Sequence, residues 1–108
     1  MSFSILAVEV ITAPDDKFTS GSALQNGWWI ASLFERYGCT LDNALINEED
    51  IIHVYNGIKS DLENEESKME LLHSLQEDEP SLTIKDIEDF KLFLKECIDN
   101  EYCLSYWY

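Results

Sequence analysis

Asp61 to Pro80, DLENEESKMELLHSLQEDEP, holds eight carboxylates and one lysine in twenty residues, and no other stretch restricts the fold as strongly. Unpaired carboxylates do not enter a low-dielectric interior, so all eight must stay at the surface. Leu71, Leu72 and Leu75, interleaved with them, can leave water together only if the segment is a helix with one wet face and one dry face. Ser67 and Glu70 form an S-x-x-E capping box, which starts that helix near Ser67; it runs to about Glu77, and Pro80 closes the region.

The same periodicity organises the flanking sequence. Asn47 can cap a helix whose first turn carries Glu48, Glu49 and Asp50, where the macrodipole favours anions, and Ile51, Tyr55, Ile58 and Leu62 then share one stripe. Glu63 to Glu66 reads as an acidic turn between the two helices. Thr83 and Asp86 make a weaker capping box for another helix, with Ile87, Phe90, Leu94, Cys97 and Ile98 as its apolar face down to about Asn100. Upstream, SALQNGWWIASLFERY from Ser22 to Tyr37 spaces Leu24, Trp28, Ala31, Phe34 and Tyr37 as a core helix and stops at Gly38. Phe3 to Ala13, rich in β-branched residues and stopped by Pro14, is a mostly buried strand. The aromatic tail Tyr102 to Tyr108 can pair with it or lie across the helices. These elements predict one domain over residues 1–108 of class α+β, predominantly helical: about four helices packed with an N-terminal strand and possibly a C-terminal one. An all-α bundle is the alternative.

Charge narrows the function classes. Twenty-two acids against seven bases give a net charge of −15, well beyond what solubility asks of a small domain. Residues 1–45 contribute −3 and residues 46–108 contribute −12. Such a field repels nucleic acid and anionic membranes and attracts cationic surfaces. Lys17, Arg36, Lys59, Lys68, Lys85, Lys91 and Lys95 never cluster, so direct nucleic-acid binding is not expected.

No reaction signature stands out. Gly21, Gly27, Gly38 and Gly57 are scattered and build no phosphate loop. His53 and His73 belong to no H-x-x-x-H or H-x-x-E-H pair, so a metal site is not expected, and no cofactor is implied. Cys39, Cys97 and Cys103 form no C-x-x-C, which points to reduced thiols in cytoplasm rather than a disulfide framework. A strongly negative field also raises thiol pKa values, the reverse of what a nucleophilic cysteine needs. The N-terminus lacks a basic n-region and a small-residue cleavage site, so a cytoplasmic location is expected.

The plain structural reading of the acidic run is a solvated, self-repelling face. The functional reading is a surface for a strongly cationic protein, since complementary potentials accelerate encounter. In size, acidity, reduced-thiol character and lack of catalytic motifs the chain resembles the small immunity proteins that bacteria carry against contact-dependent and other polymorphic toxins. That resemblance is one of type, without a shared motif and hence without residues to transfer. It implies one-to-one occlusion of a cognate basic toxin domain, such as a nuclease, and no chemistry by this chain. The acidic contacts expected are Asp61, Glu63, Glu65 and Glu66, followed by Glu70, Glu77, Asp78 and Glu79. Tyr102, Tyr106, Trp107 and Tyr108 are the aromatic anchors if the tail is exposed. Two other readings remain open: a nucleic-acid mimic of anti-restriction or anti-CRISPR type, and a small ligand-binding domain or enzyme with a pocket around Trp28, Trp29, Tyr55 and His53.

Overall fold

Strand β1 (Ser4–Val10) lies inside a four-stranded antiparallel sheet, with β2 (Phe18–Asn26) on one side and β4 (Cys103–Trp107) on the other; the two-residue β3 (Leu45–Ile46) pairs with the far side of β4. The computed structural model describes residues 3–10, 18–41 and 45–107. Among these, four helices complete an α+β fold: α1 (Trp28–Arg36), α2 (Glu48–Glu63), α3 (Glu65–Leu75) and α4 (Ile84–Asp99). The C-terminal strand therefore exists, and it pairs with the N-terminal one, Ile5 opposite Tyr106.

The largest departure from the sequence reading is at residues 18–37. The apolar spacing there predicts one helix from Ser22, yet Phe18–Asn26 is a strand paired to β1 and the helix begins at Trp28. Gly27 makes the break: its φ of 128° suits glycine, its N–H donates to the Phe3 carbonyl at 2.7 Å, and a Cβ there would strike the Trp29 indole. A helix through residue 27 is thus interrupted, and long-range pairing outweighs local periodicity over the preceding nine residues. Consequently Trp29, Ile30, Ala31, Leu33 and Phe34 form the buried face of α1, and Trp28 is 43% exposed.

Strand β1, β3, β4 and all four helices feed one apolar core. Phe3 just before β1, Ile5 from β1, Ile46 from β3, and Leu104 and Tyr106 from β4 meet Phe34, Ile51, Val54, Ile58, Leu71, Leu75, Ile87, Phe90 and Leu94 from the helices. The buried faces of α2 and α4 differ from their single-row reading: Val54 and Phe93 join the expected positions, whereas Tyr55, Leu62 and Ile98 are only partly buried; α3 buries Leu71, Leu72 and Leu75 as expected.

The helix boundaries follow capping chemistry. Asn47 accepts from the Asp50 N–H at 2.9 Å, and Thr83 and Asp86 form the full reciprocal box expected of them. The α2–α3 junction differs from expectation, because Asn64, not Ser67, is the cap of α3. Its side chain accepts from the Ser67 N–H at 3.0 Å, and Ser67 lies inside the helix. The acidic turn thus shrinks to one non-helical residue, with Glu63 ending α2 and Glu65 and Glu66 in the first turn of α3, where the dipole welcomes them. At the other end of the helical layer, Tyr102 N–H donates to the Cys97 carbonyl and Glu101 N–H to that of Ile98, a Schellman turn with Glu101 left-handed at φ 57°. That turn reverses the chain from α4 into β4.

Helices α1 and α2 are joined by a lock around Tyr37. Its hydroxyl donates to Asp61 Oδ2, its carbonyl lies 2.8 Å from His53 Nε2, and its ring covers Gly57 so closely that a Cβ there would sit 2.6 Å from two ring carbons. Gly57→Ala is therefore expected to destabilise the protein by roughly 1–3 kcal/mol, because displacing the ring and its bond to Asp61 outweighs the helix-propensity gain of about 1 kcal/mol. In a Tyr37→Ala background the same change should reverse sign and stabilise. Urea denaturation of the four variants checks both signs.

Burial pushes the Cys97 thiol up to about 12, with the Glu96 carboxylate and Cys103 adding to it, and burial with the Asp61 contact likewise raises Tyr37. Both groups hold their protons to higher pH folded than unfolded. Their contribution to stability is present below about pH 9 and is lost as pH climbs toward 12. The melting temperature should accordingly fall between pH ~9 and ~11, and a Cys97→Ala variant should show a shallower fall.

Candidate partner-binding surface

All seventeen carboxylates of residues 46–108 lie on α2, α3, α4 or the turns that follow them, and none on β3 or β4. Fourteen are exposed; Asp50, Asp61 and Glu79 are half-buried. Three of the five lysines of this part form ion pairs among the described residues, Lys68–Glu65, Lys85–Asp89 and Lys95–Asp99, each between residues three or four apart on one helix. Pairs of this kind hardly alter the outward field, so the helical layer stays about −12.

The eight acids expected to make the contact fall into two groups. Asp61 accepts from Tyr37, Asp78 accepts from the Ser32 hydroxyl on α1, Glu79 accepts from the Ser81 hydroxyl at 2.7 Å, and Glu65 holds Lys68 at 2.9 Å. These four do structural work. Glu63, Glu66, Glu70 and Glu77 are exposed and have no ion pair among the described residues, so they are the ones presented freely to solvent. Glu63 to Glu66 and Glu77 to Glu79 lie at opposite ends of α3, about 16 Å apart along its axis and beyond a Debye length of about 8 Å. They act as two separate patches.

The aromatic tail is not an exposed anchor surface as a whole. Tyr106 is buried and stacks on Phe3 with ring centroids 5.6 Å apart, and Tyr102 is half-buried against the core. In β4, alternation explains this: Leu104 and Tyr106 face the helices and Ser105 faces away. Trp107 ends β4 opposite Ser4, and Tyr108 lies outside the described residues. The four residues of the ligand-pocket reading have separate surroundings. Trp28 packs at a tilt against Phe3, His53 bonds the Tyr37 carbonyl at the surface, Tyr55 packs on the core, and Trp29 lines a cavity.

That cavity opens in the acidic layer. It measures about 360 Å³ and is lined by Gln25, Trp29, Glu79, Ser81, Leu82, Asp86, Asp89 and Phe90. The end of β2 and start of α1 supply one wall, the loop between α3 and α4 a second, and the first turns of α4 the third. Trp29 and Phe90 meet edge to face at 5.3 Å and form its apolar part. Glu79, Asp86 and Asp89 supply three carboxylates, and among the described residues no lysine or arginine lines it. Asp89 pairs with Lys85, whose Nζ lies 3.0 Å from Asp89 Oδ2, and this contact holds the ammonium above its ordinary pKa.

The loop that makes the second wall is fastened at both ends. Gln76 Nε2 donates to the Leu82 carbonyl, Leu82 N–H to the Glu79 carbonyl, and Asp78 takes the hydroxyl from α1. The cleft is therefore set before any partner arrives. Of its acids only Glu79 was among the residues expected from the sequence. Asp86 was legible as a cap but not as a lining residue, and Asp89 as a surface acid; the Trp29–Phe90 pairing has no sequence signal, because its partners are sixty-one positions apart.

Among the described residues no group of three or more His, Cys, Asp or Glu side chains converges as metal ligands. No helix there is long and apolar enough to cross a membrane. All three cysteines are free thiols with raised pKa values, burial being the first cause at each and neighbouring acids a lesser one at Cys39 and Cys97. Compared with known proteins, the chain matches no family model, no curated protein and no solved structure.

An uncompensated layer of this kind has a direct consequence for stability. Raising NaCl from about 0.02 M to about 0.5 M shortens the Debye length from over 20 Å to about 4 Å, and the melting temperature should rise as the carboxylates cease to repel one another. A melting temperature indifferent to salt over that range would mean that the layer is not self-repelling.

Proposed function

We propose that this chain is an immunity protein: it binds a cognate basic toxin domain one-to-one in the cytoplasm and neutralises it by covering the site where its anionic substrate binds. The observation that carries this reading is the helical layer itself, seventeen carboxylates against five lysines, with the ion pairs among the described residues all local to one helix. A globular domain gains nothing in stability from that excess, since self-repulsion opposes compactness. A cationic partner turns the same field into fast association, and speed is what an antidote to an intracellular toxin requires. Nucleases are the natural target class, because a site that binds phosphates is electropositive and carboxylates can occupy the phosphates' place.

In this reading the chain performs no reaction, takes no cofactor and touches neither membrane nor nucleic acid. Glu63, Glu66, Glu70 and Glu77 set the encounter rate, and contacts at the centre of the interface set the lifetime of the complex.

The test is affinity capture from the native lysate, followed by an activity assay on the retained protein. One basic protein should be retained whose nuclease or other toxic activity disappears on mixing. A Glu63→Gln, Glu66→Gln, Glu70→Gln, Glu77→Gln variant should then associate about tenfold more slowly at low ionic strength, with a smaller change in dissociation. Capture of an enzyme that handles DNA or RNA generally would replace the immunity reading with that of a nucleic-acid mimic. Retention or turnover of a small molecule would replace it with a ligand-binding one.

A further inference from the structure

We propose that the cleft between α1, the α3–α4 loop and α4 is a socket for a single arginine side chain of the partner protein, its guanidinium held by Glu79, Asp86 and Asp89 and its plane resting against Trp29 and Phe90. The inference rests on the partner being a cationic protein and adds where, and by which chemistry, that partner is gripped.

Size comes first. At about 360 Å³ the cavity lies at the small end of ligand sites, which run from about 300 to 1,000 Å³. It has room for one long side chain and not for a helix laid into a groove. Sign comes second, since among the described residues that line it three are acids and none is basic. Among the described residues each of the three is engaged by one neighbour, Glu79 by the Ser81 hydroxyl, Asp86 by the Thr83 N–H and hydroxyl, and Asp89 by Lys85, which leaves carboxylate acceptor sites for a cationic occupant. The spread of those carboxylates decides between cations: they do not converge as metal ligands do, so a compact ion would satisfy one at a time. A guanidinium presents five donors in a plane and can engage separated carboxylates at once. The apolar part of the wall gives the last discrimination. Trp29, Phe90 and Leu82 offer ring and methyl surface beside the acids, and guanidinium, being weakly hydrated and flat, stacks on aromatic rings where an ammonium stays in water. Ser81 and Gln25 complete the lining with further side-chain oxygens able to accept from it.

Lys85 is the built-in competitor. Its ammonium sits 3.0 and 3.3 Å from the two Asp89 oxygens and is largely exposed, so it neutralises Asp89 in the free protein and can swing out when a better donor arrives. Removing it should therefore improve the socket, an effect that Lys95, paired with Asp99 further along α4, should not share.

The probe is the tripeptide acetyl-Ala-Arg-Ala-amide, titrated while the Trp29 indole N–H is followed by NMR; its signal is identified by its loss in Trp29→Phe. The matched control peptide carries citrulline, of the same shape but uncharged. The arginine peptide should shift the indole with an affinity on the order of millimolar, and the citrulline peptide should not. Glu79→Gln with Asp89→Asn should weaken binding about tenfold or more, while Glu63→Gln with Glu66→Gln, an equal loss of charge at the far end of α3, should change it less than about twofold. Lys85→Gln should tighten binding and Lys95→Gln should leave it unchanged. Equal weakening by the two double variants, an unshifted indole, or equal response to both peptides would overturn the socket. This titration needs no toxin, so the two proposals fail separately. If the peptide titrates the cleft as described but no captured protein is neutralised, the immunity reading falls and the socket stands. If a neutralised toxin is found whose affinity is unmoved by Glu79→Gln with Asp89→Asn, the socket falls and the immunity reading stands.

Discussion

Everything in this structure depends on the apolar seam between the sheet and the helices, because that seam alone holds a layer of twelve net negative charges against the rest of the chain. Each helix contributes carboxylates outside and Leu, Ile or Phe inside, so repulsion and burial act on opposite faces of the same elements. Hydrophobic burial at roughly 25 cal/mol per Å² is indifferent to salt, while the repulsion is screened by it. The balance leaves little freedom for the surface to become less acidic by accident of packing. The acids that are spent on structure, Asp61 with Tyr37 and Asp78 with Ser32, are those that fasten α1 to the helical layer. Those left over form the exterior.

The helical part was legible from local rules because local rules determine it. Asn47 and the Thr83–Asp86 box fix helix starts through side-chain acceptors within three residues, and apolar periodicity fixes which face is buried. The misplacement of the α3 cap by three residues has the same origin: Asn64 and Ser67 both offer a side-chain oxygen, and only the geometry at the end of α2 decides between them. Residues 18–26 were not legible for the opposite reason. Their state is set by pairing with β1, a partner that no window of eleven to eighteen residues contains, and the helical spacing of Leu24, Trp28 and Ala31 coincided with it by chance.

The site was legible in its sign and not in its shape. Net charge and its concentration beyond residue 45 can be counted, and the proposed cationic partner is argued from them. Which acids remain free, however, depends on hydroxyl donors from distant elements: Tyr37 and Ser32 lie 24 and 46 positions from the acids they engage. The tail shows the same limit. Tyr102 and Tyr106 could have been exposed or buried on composition alone; the strand register Ile5 to Tyr106 places Tyr106 in the core, and Tyr102 packs partly buried against it.

The segment that local periodicity misread is also the one that builds the cleft. If the helix had begun near Ser22, Gln25 and Trp29 would lie one turn apart on a single continuous face. Instead the chain runs as a strand to Asn26, turns at Gly27 through a conformation suited to glycine, and enters α1 with Trp29 one residue into its first turn. Gln25 then lines the cavity from the strand end and Trp29 from the helix start, with Phe90 of α4 meeting the indole edge to face. The capping box supplies the rest: Thr83 and Asp86 start α4 where its first two turns carry Asp86, Asp89 and Phe90 to the same opening. A long-range strand pairing and a local cap, neither of which concerns binding, thus bring three carboxylates and two aromatic rings together in a single concavity. Its acidity follows from the composition of α4, and its depth follows from the glycine that stops β2.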